Sequence, residues 1–275
     1  MHLILPITRN VASIVSLLWV LTNLSFWVLI LIPISIMRWL IPIPFVSRFC
    51  FVVVDFVYRM AVRTDSFWMR DVMGIEFLVD GEPNRYSSPI VICNHQSWFD
   101  IPVVQDLVTR DGPIIKFLIK RELVWVPVIG WICLALNFPR LYRGKDKSLR
   151  AADYSKIQGA TQDHGAEPGA LLVFPEGTRF TANKQRLQAS PYERLLVPKS
   201  GGMKIIKASA DPATHVMDIT IDYGVELVNI WRCLHGRPKQ IAIKIRYYPL
   251  ADIDDMQTWL NERWQEKSAF LADAH

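Results

Sequence analysis

Asn94-His95-Gln96-Ser97-Trp98-Phe99-Asp100 follows directly on the apolar run Pro89-Ile90-Val91-Ile92-Cys93. The run is short, continuous and rich in β-branched residues, as a buried strand requires. The heptapeptide after it reads as the turn from that strand into a helix. Ser97-x-x-Asp100 fits a capping box, with Ser97 as N-cap and Asp100 at the third helical position. A second strand of the same kind, 171–174, runs into Pro175-Glu176-Gly177-Thr178-Arg179. Buried strands that end in polar turns suit α/β sheets, which carry their chemistry at the carboxyl ends of strands.

Working outward, residues 75–79, 90–93, 113–119, 171–174, 216–223 and 241–248 read as strands. Helices are expected after Ser97, around 149–163, after Gly202 and from Asp254 to the C-terminus. This alternation predicts an α/β fold with a central mixed sheet flanked by helices. Ile241, Ile243, Ile245 and Tyr247 alternate with Lys244 and Arg246, so that strand is half-buried or at an edge. The polar stretch 184–194 reads as a surface loop. Residues 123–138 carry no charge but are broken by Pro127 and Gly130. They form either a core helix or an apolar wall lining a lipid-tail channel.

The chain of 275 residues is 51% hydrophobic, high for a soluble enzyme, and the excess lies near the N-terminus. Residues 11–37 are uncharged, long enough for a helix to cross or deeply enter a bilayer. Pro33, Pro42 and Pro44 should kink or end helices there. A second helix is expected over 45–62, with Arg48, Asp55, Arg59 and Arg63 on one stripe. The sheet is therefore preceded by a two-helix membrane-embedded unit, residues 1–68, with the catalytic domain at 69–275. A single spanning anchor followed by an ordinary core helix is the alternative. Arg38, Arg48, Arg59 and Arg63 place the catalytic side in the cytoplasm, at an inner membrane. The net charge of +5 lacks a basic block with interleaved aromatics, which argues against nucleic acid and for membrane lipids and phosphorylated substrates. Cys50, Cys93, Cys133 and Cys233 show no ligand spacing and read as reduced packing thiols. His2, His164, His215 and His235 are not spaced for a metal. Met256, Leu260, Trp264 and Phe270 recur at roughly helical spacing, as in a packing helix or one touching lipid headgroups.

A histidine five residues before an aspartate is the chemistry of a general base with its orienting acid. In that role Asp100 would fix the imidazole tautomer while the other nitrogen of His95 removes a substrate proton. Arg179 carries a planar fork suited to a phosphate. Asn94-His95-x-Ser97-Trp98-x-Asp100, together with Phe174-Pro175-Glu176-Gly177-Thr178-Arg179, resembles the glycerolipid acyltransferase family, notably the 1-acylglycerol-3-phosphate acyltransferases. Lys120-Arg121-Glu122-Leu123 and Leu196-Val197-Pro198-Lys199-Ser200-Gly201-Gly202 are similar to the family in style, and the likeness covers about residues 70–225.

The resemblance implies acyl transfer to a glycerol hydroxyl from a thioester, acyl-CoA or acyl-acyl carrier protein, with no other cofactor and no acyl-enzyme nucleophile. His95 is then the base and Asp100 its partner. Glu176, Gly177, Thr178 and Arg179 form the acceptor site, Glu176 touching a glycerol hydroxyl or Arg179. Arg143 is a candidate second phosphate cation, with Arg140 as runner-up; solvated surface arginines are the plain alternative. Gly201-Gly202 reads as an oxyanion-binding turn or a helix entry. The implied product is phosphatidate, from a lysophospholipid acceptor, for phospholipid biosynthesis. Another lysophospholipid or phosphoglycerol acceptor is the rival, and a non-catalytic lipid-binding protein on the same fold a more distant one.

Overall fold

In the computed structural model the described residues are 4–41, 43–126, 128–136, 138–142, 147–166, 169–225 and 228–273. Helix α1 (Ile4–Leu40) is followed by α2 (Pro44–Phe67) and a π-helical turn, Trp68–Val72. Helix α1 runs on through Pro33, which corrects the expectation of a helix end there. Proline removes one backbone donor, and a long apolar helix retains the other bonds of its ladder. Pro44 opens α2 from its first turn, where the missing N–H costs nothing. Pro42 lies outside the described residues. The C-terminal part of the stripe on α2 faces the rest of the chain: Arg59 pairs with Asp55 at 2.7 Å and donates to the Gly112 carbonyl, and Arg63 donates to Arg110 O, while Arg48 is exposed.

Beyond it come β1 (Glu76–Asp80), β2 (Ile90–Cys93), α3 (Asp100–Val108), β3 (Ile115–Phe117), β4 (Ile119–Lys120), α4 (Ile129–Ala135), β5 (Arg140–Leu141), α5 (Lys147–Ala166) and β6 (Ala170–Val173). Then follow α6 (Ala182–Gln188), α7 (Gly201–Ser209), β7 (His215–Asp222), α8 (Ile230–Cys233), β8 (Gln240–Pro249) and α9 (Met256–Asp273). Six strands form one sheet in the order β1-β8-β7-β2-β6-β3, with β7 and β8 antiparallel and every other neighbour parallel. Strand β8 is half-buried and interior rather than at an edge. The strand expected over 113–119 is split at Leu118, and its second part pairs with β5 as a separate two-stranded sheet. The loop expected over 184–194 begins as the end of α6, because Thr181 caps that helix by accepting the Lys184 N–H.

Successive side chains of a strand face opposite ways, and here they split two cores. Val91 and Cys93 pack with Val103, Val104 and Leu107 of α3. Ile90 and Ile92 pack with Met203 of α7 and Leu260 and Trp264 of α9, so helices cover both faces. On that second face β7 presents Asp218 and Thr220, met by the buried Lys267 of α9: its Nζ lies 2.5 Å from Asp218 and donates to Thr220 Oγ1 and Ile219 O. The C-terminal helix is thus a packing helix. All four cysteines are buried and free.

A third core joins Leu31 of α1 and Val54, Val57 and Tyr58 of α2 to Cys133 and Leu136 around α4. The uncharged stretch 123–138 is therefore only half core. Its outer side leaves Trp125, Ile129, Trp131 and Leu134 exposed beside the N-terminal helices.

Candidate active site

Parallel strands β2, β6 and β7 deliver their carboxyl ends to one rim of the sheet, and three turns meet there. After β2, Asn94 is pinned to β7 in both directions: its amide donates to Ile221 O at 2.9 Å, and its carbonyl accepts the Ile221 N–H at 2.8 Å. His95 follows, its ring stacked on Phe174 with centroids 3.9 Å apart.

His95 Nδ1 lies 2.8 Å from Asp100 Oδ2, which leaves Nε2 as the ring nitrogen not engaged by the carboxylate. Asp100 is fully buried. Its Oδ2 also accepts the Ser97 N–H at 2.9 Å, and its Oδ1 accepts the Tyr223 hydroxyl at 2.7 Å. Burial and the adjacent Asp100 push the Tyr223 hydroxyl well above its ordinary value, so it stays protonated and donates. Half of the expected capping box forms. Asp100 returns to the Ser97 N–H, but Ser97 Oγ accepts from Phe99 N, and α3 starts at Asp100 rather than two residues earlier. The carboxylate is drawn into the dyad, and the helix begins late.

Glu176 corrects the sequence reading. It is fully buried, and its two oxygens accept the N–H groups of His95 and Leu196, each at 3.1 Å. It clamps the backbone of two loops, and among the described residues no hydrogen bond or ion pair joins it to Arg179. Burial pushes its carboxyl up to about 8 against the pull of those two donors.

Gly177 adopts a left-handed φ of +71°, a conformation that favours glycine. Lys199 Nζ stands 3.6 Å from where a Cβ would be at Gly177. Lys184 Nζ donates to Thr178 Oγ1 at 2.8 Å and to Arg179 O at 2.9 Å. Arg179 is exposed and lays its guanidinium over the Trp98 ring, 4.6 Å from the centroid. The Phe180 N–H donates to His95 O at 2.7 Å. The turn 177–180 is thereby bonded to the loop that carries the dyad, and three cations surround it.

Arg140 is exposed on β5 opposite Ile119. Among the described residues no hydrogen bond or ion pair ties it to the His95 loop or to 176–179. Arg143 and Pro127 lie outside the described residues. Gly201 and Gly202 are the first turn of α7, the helix-entry reading. Burial and Asp100 push the Cys233 thiol up to about 12, and burial raises Cys93 as well. The thiols nearest the dyad are thus protonated and out of play as nucleophiles.

Sequence reasoning missed Tyr223, Phe174 as a stacking partner, and Lys184 and Lys199. Tyr223 had one signal, a hydroxyl at the carboxyl end of a strand flanking β2. Replacing Tyr223 with Phe should lower kcat roughly ten- to a hundredfold, the worth of one hydrogen bond to a charged group, and leave the acceptor KM in place. Steady-state kinetics checks this, and a purely acceptor-side effect would be the contrary result.

An acyltransferase family model matches residues 76–223. Human 1-acyl-sn-glycerol-3-phosphate acyltransferase delta is 27% identical over 220 residues, covering 72% of this chain and 57% of the human protein. Mouse lysocardiolipin acyltransferase 1 is 25% identical over 231 residues, covering 77% and 59%. The chain thus spans less than two thirds of these curated relatives. The crystal structure of the 1-acyl-sn-glycerophosphate acyltransferase from Thermotoga maritima superposes with a TM-score of 0.59 at 17% identity, over 96% of this chain and 98% of that one; that likeness concerns the fold.

Proposed function

This chain belongs to the acyltransferase family, and on that premise we propose that it moves a fatty acyl group from a thioester to the sn-2 hydroxyl of 1-acylglycerol-3-phosphate, giving phosphatidate. The observation that carries the reading is the buried Asp100 on His95 Nδ1, with Arg179 bonded into the same loop cluster. His95 Nε2 takes the proton of the acceptor hydroxyl, and the oxygen attacks the thioester carbonyl. The C–S bond then breaks, and the leaving thiolate recovers the proton from the imidazolium. Arg179, with Lys184 and Lys199 near it, offers positive charge to the acceptor phosphate. Acyl-CoA and acyl-acyl carrier protein both fit as donors.

The N-terminal unit, residues 1–68, holds the enzyme on the membrane where its acceptor lies, with domain 69–275 on the cytoplasmic side. Helix α1 supports the membrane attachment: residues 7–40 are long and apolar enough to cross a bilayer. A second acceptor, another phosphate-bearing lysophospholipid, is supported by the lysocardiolipin relative at comparable identity.

The experiment is thiol release by the purified full chain, with both donors, against lysophosphatidate, lysocardiolipin, other lysophospholipids and glycerol-3-phosphate. Lysophosphatidate should give the highest kcat/KM. Failure to acylate any of these acceptors would overturn the reading. Replacing Arg179 with Ala should raise the acceptor KM roughly ten- to a hundredfold, the worth of a hydrogen bond to a charged group, with the donor KM unchanged. An unmoved acceptor KM would remove Arg179 from the site.

A further inference from the structure

The chain after β7 builds a second cationic feature that the transfer reaction does not use. A cavity of about 250 Å³ opens there, with Val225, Val228 and Cys233 as an apolar floor and Arg232, Arg237 and Lys239 around it. Its volume is below the roughly 300–1,000 Å³ of sites that engulf a drug-sized ligand, and it suits a headgroup rather than a whole lipid.

Lys239 Nζ is engaged by Met73 O at 2.7 Å. Among the described residues, no acid pairs with Arg232 or Arg237. Among the described residues, then, two guanidiniums have no acidic partner, each with a planar fork suited to phosphate oxygens.

Helix α1 brings a third. Ser13 Oγ donates to Trp231 O at 2.7 Å and lies 2.9 Å from His235 Nδ1, and the Trp231 indole donates to Asn10 Oδ1 at 2.9 Å. One turn before Ser13 is the exposed Arg9. His235 is held below its ordinary range by burial first, then by Arg9, Arg232 and Arg237. All three arginines therefore act on one imidazole.

A membrane-entering α1 would also set the depth of Arg9. Arg9 is the last charge before the uncharged residues 11–37. A helix entering a bilayer leaves such a residue at the level of the lipid phosphates.

We propose that this cavity is a second phosphate site, separate from the acceptor site at Arg179, and that it takes the headgroup of an anionic membrane phospholipid. The inference rests on α1 entering the bilayer and not on the transfer reaction, so lipid binding tests it even if no acyl transfer is found.

The test is native mass spectrometry of the detergent-solubilised full chain, titrated with phosphatidylglycerol, phosphatidylcholine and, separately, coenzyme A. The wild type should retain phosphatidylglycerol in preference to phosphatidylcholine. Arg232→Ala with Arg237→Ala should weaken that retention roughly 25-fold, at about fivefold per arginine facing anionic lipid. Arg9→Gln, on an exposed helix face, should weaken it about fivefold and serves if the double variant does not fold. Arg179→Ala and the surface control Arg186→Ala should retain the lipid. Undiminished retention in the cavity variants would overturn the proposal. Equal loss in Arg186→Ala would reduce it to net charge. Loss confined to Arg179→Ala would leave a single site. Coenzyme A displacing the lipid through the same arginines would assign the cavity to the donor.

Discussion

Replacing His95 with alanine should lower acyl transfer by about 10²- to 10⁴-fold, the usual worth of a positioned general base. The effect should fall on kcat. In the proposed reaction the ring takes the hydroxyl proton, whereas Arg179, on a different turn, meets the phosphate. Asp100→Asn tests the same arrangement from below. Asp100 accepts three donors: His95 Nδ1–H, the Ser97 N–H and the Tyr223 hydroxyl. An asparagine has one carbonyl oxygen to serve all three and turns an amide N–H toward at least one of them. Its kcat should fall on the same scale, because an amide N–H facing Nδ1 holds the proton on Nε2, the wrong tautomer for a base. Thiol-release kinetics on folded variants decides the matter, and wild-type turnover in His95→Ala would end the base assignment.

The second large effect is on stability. Glu176→Ala strips the acceptors from two buried N–H groups, those of His95 and Leu196. Each orphaned donor costs about 1–3 kcal/mol, so the variant should lose about 2–6 kcal/mol. Domains are stable by only about 5–15 kcal/mol, so urea unfolding should shift markedly to lower concentration. The wild type should also show a pH dependence that Glu176→Gln lacks. The folded carboxyl sits at about 8, above its ordinary 4.5, so folding favours the protonated form. Its contribution is full below about 4.5, declines as pH rises toward 8 and is level above that. The stability difference between wild type and Glu176→Gln, measured across that window, should carry this downward slope. An upward slope would show that the two N–H donors outweigh burial.

Much of the site was legible because its parts are local. Strand β2 has the bounds that its apolar run suggests, and His95 and Asp100 are close enough in sequence for one turn to join them. What was hidden is tertiary. Tyr223 reaches Asp100 from 123 residues away, and only the adjacency of β2 and β7 brings it there. Glu176 follows a proline in a polar motif, a pattern that reads as a surface turn. It turns inward because two loops pass it with N–H groups that no strand satisfies, a demand that no local pattern records. The two-residue strands β4 and β5 are too short to carry a periodicity. Pro33 punctuates a soluble helix but not this apolar one, where tertiary packing and the apolar setting outweigh the local break.

The order of strands in the sheet also orders events during synthesis. Strand β1 has β8 as its neighbour, so Glu76 waits for Gln240 across most of the chain. Asp218 on β7 likewise waits for Lys267 near the C-terminus. On a ribosome the two apolar helices emerge before the sheet, while Asp100 waits for Tyr223, 123 residues further along. A nascent chain therefore exposes its apolar helices long before the His95–Asp100 pair has its buried partner, and products cut short before Tyr223 carry the helices without the assembled pair.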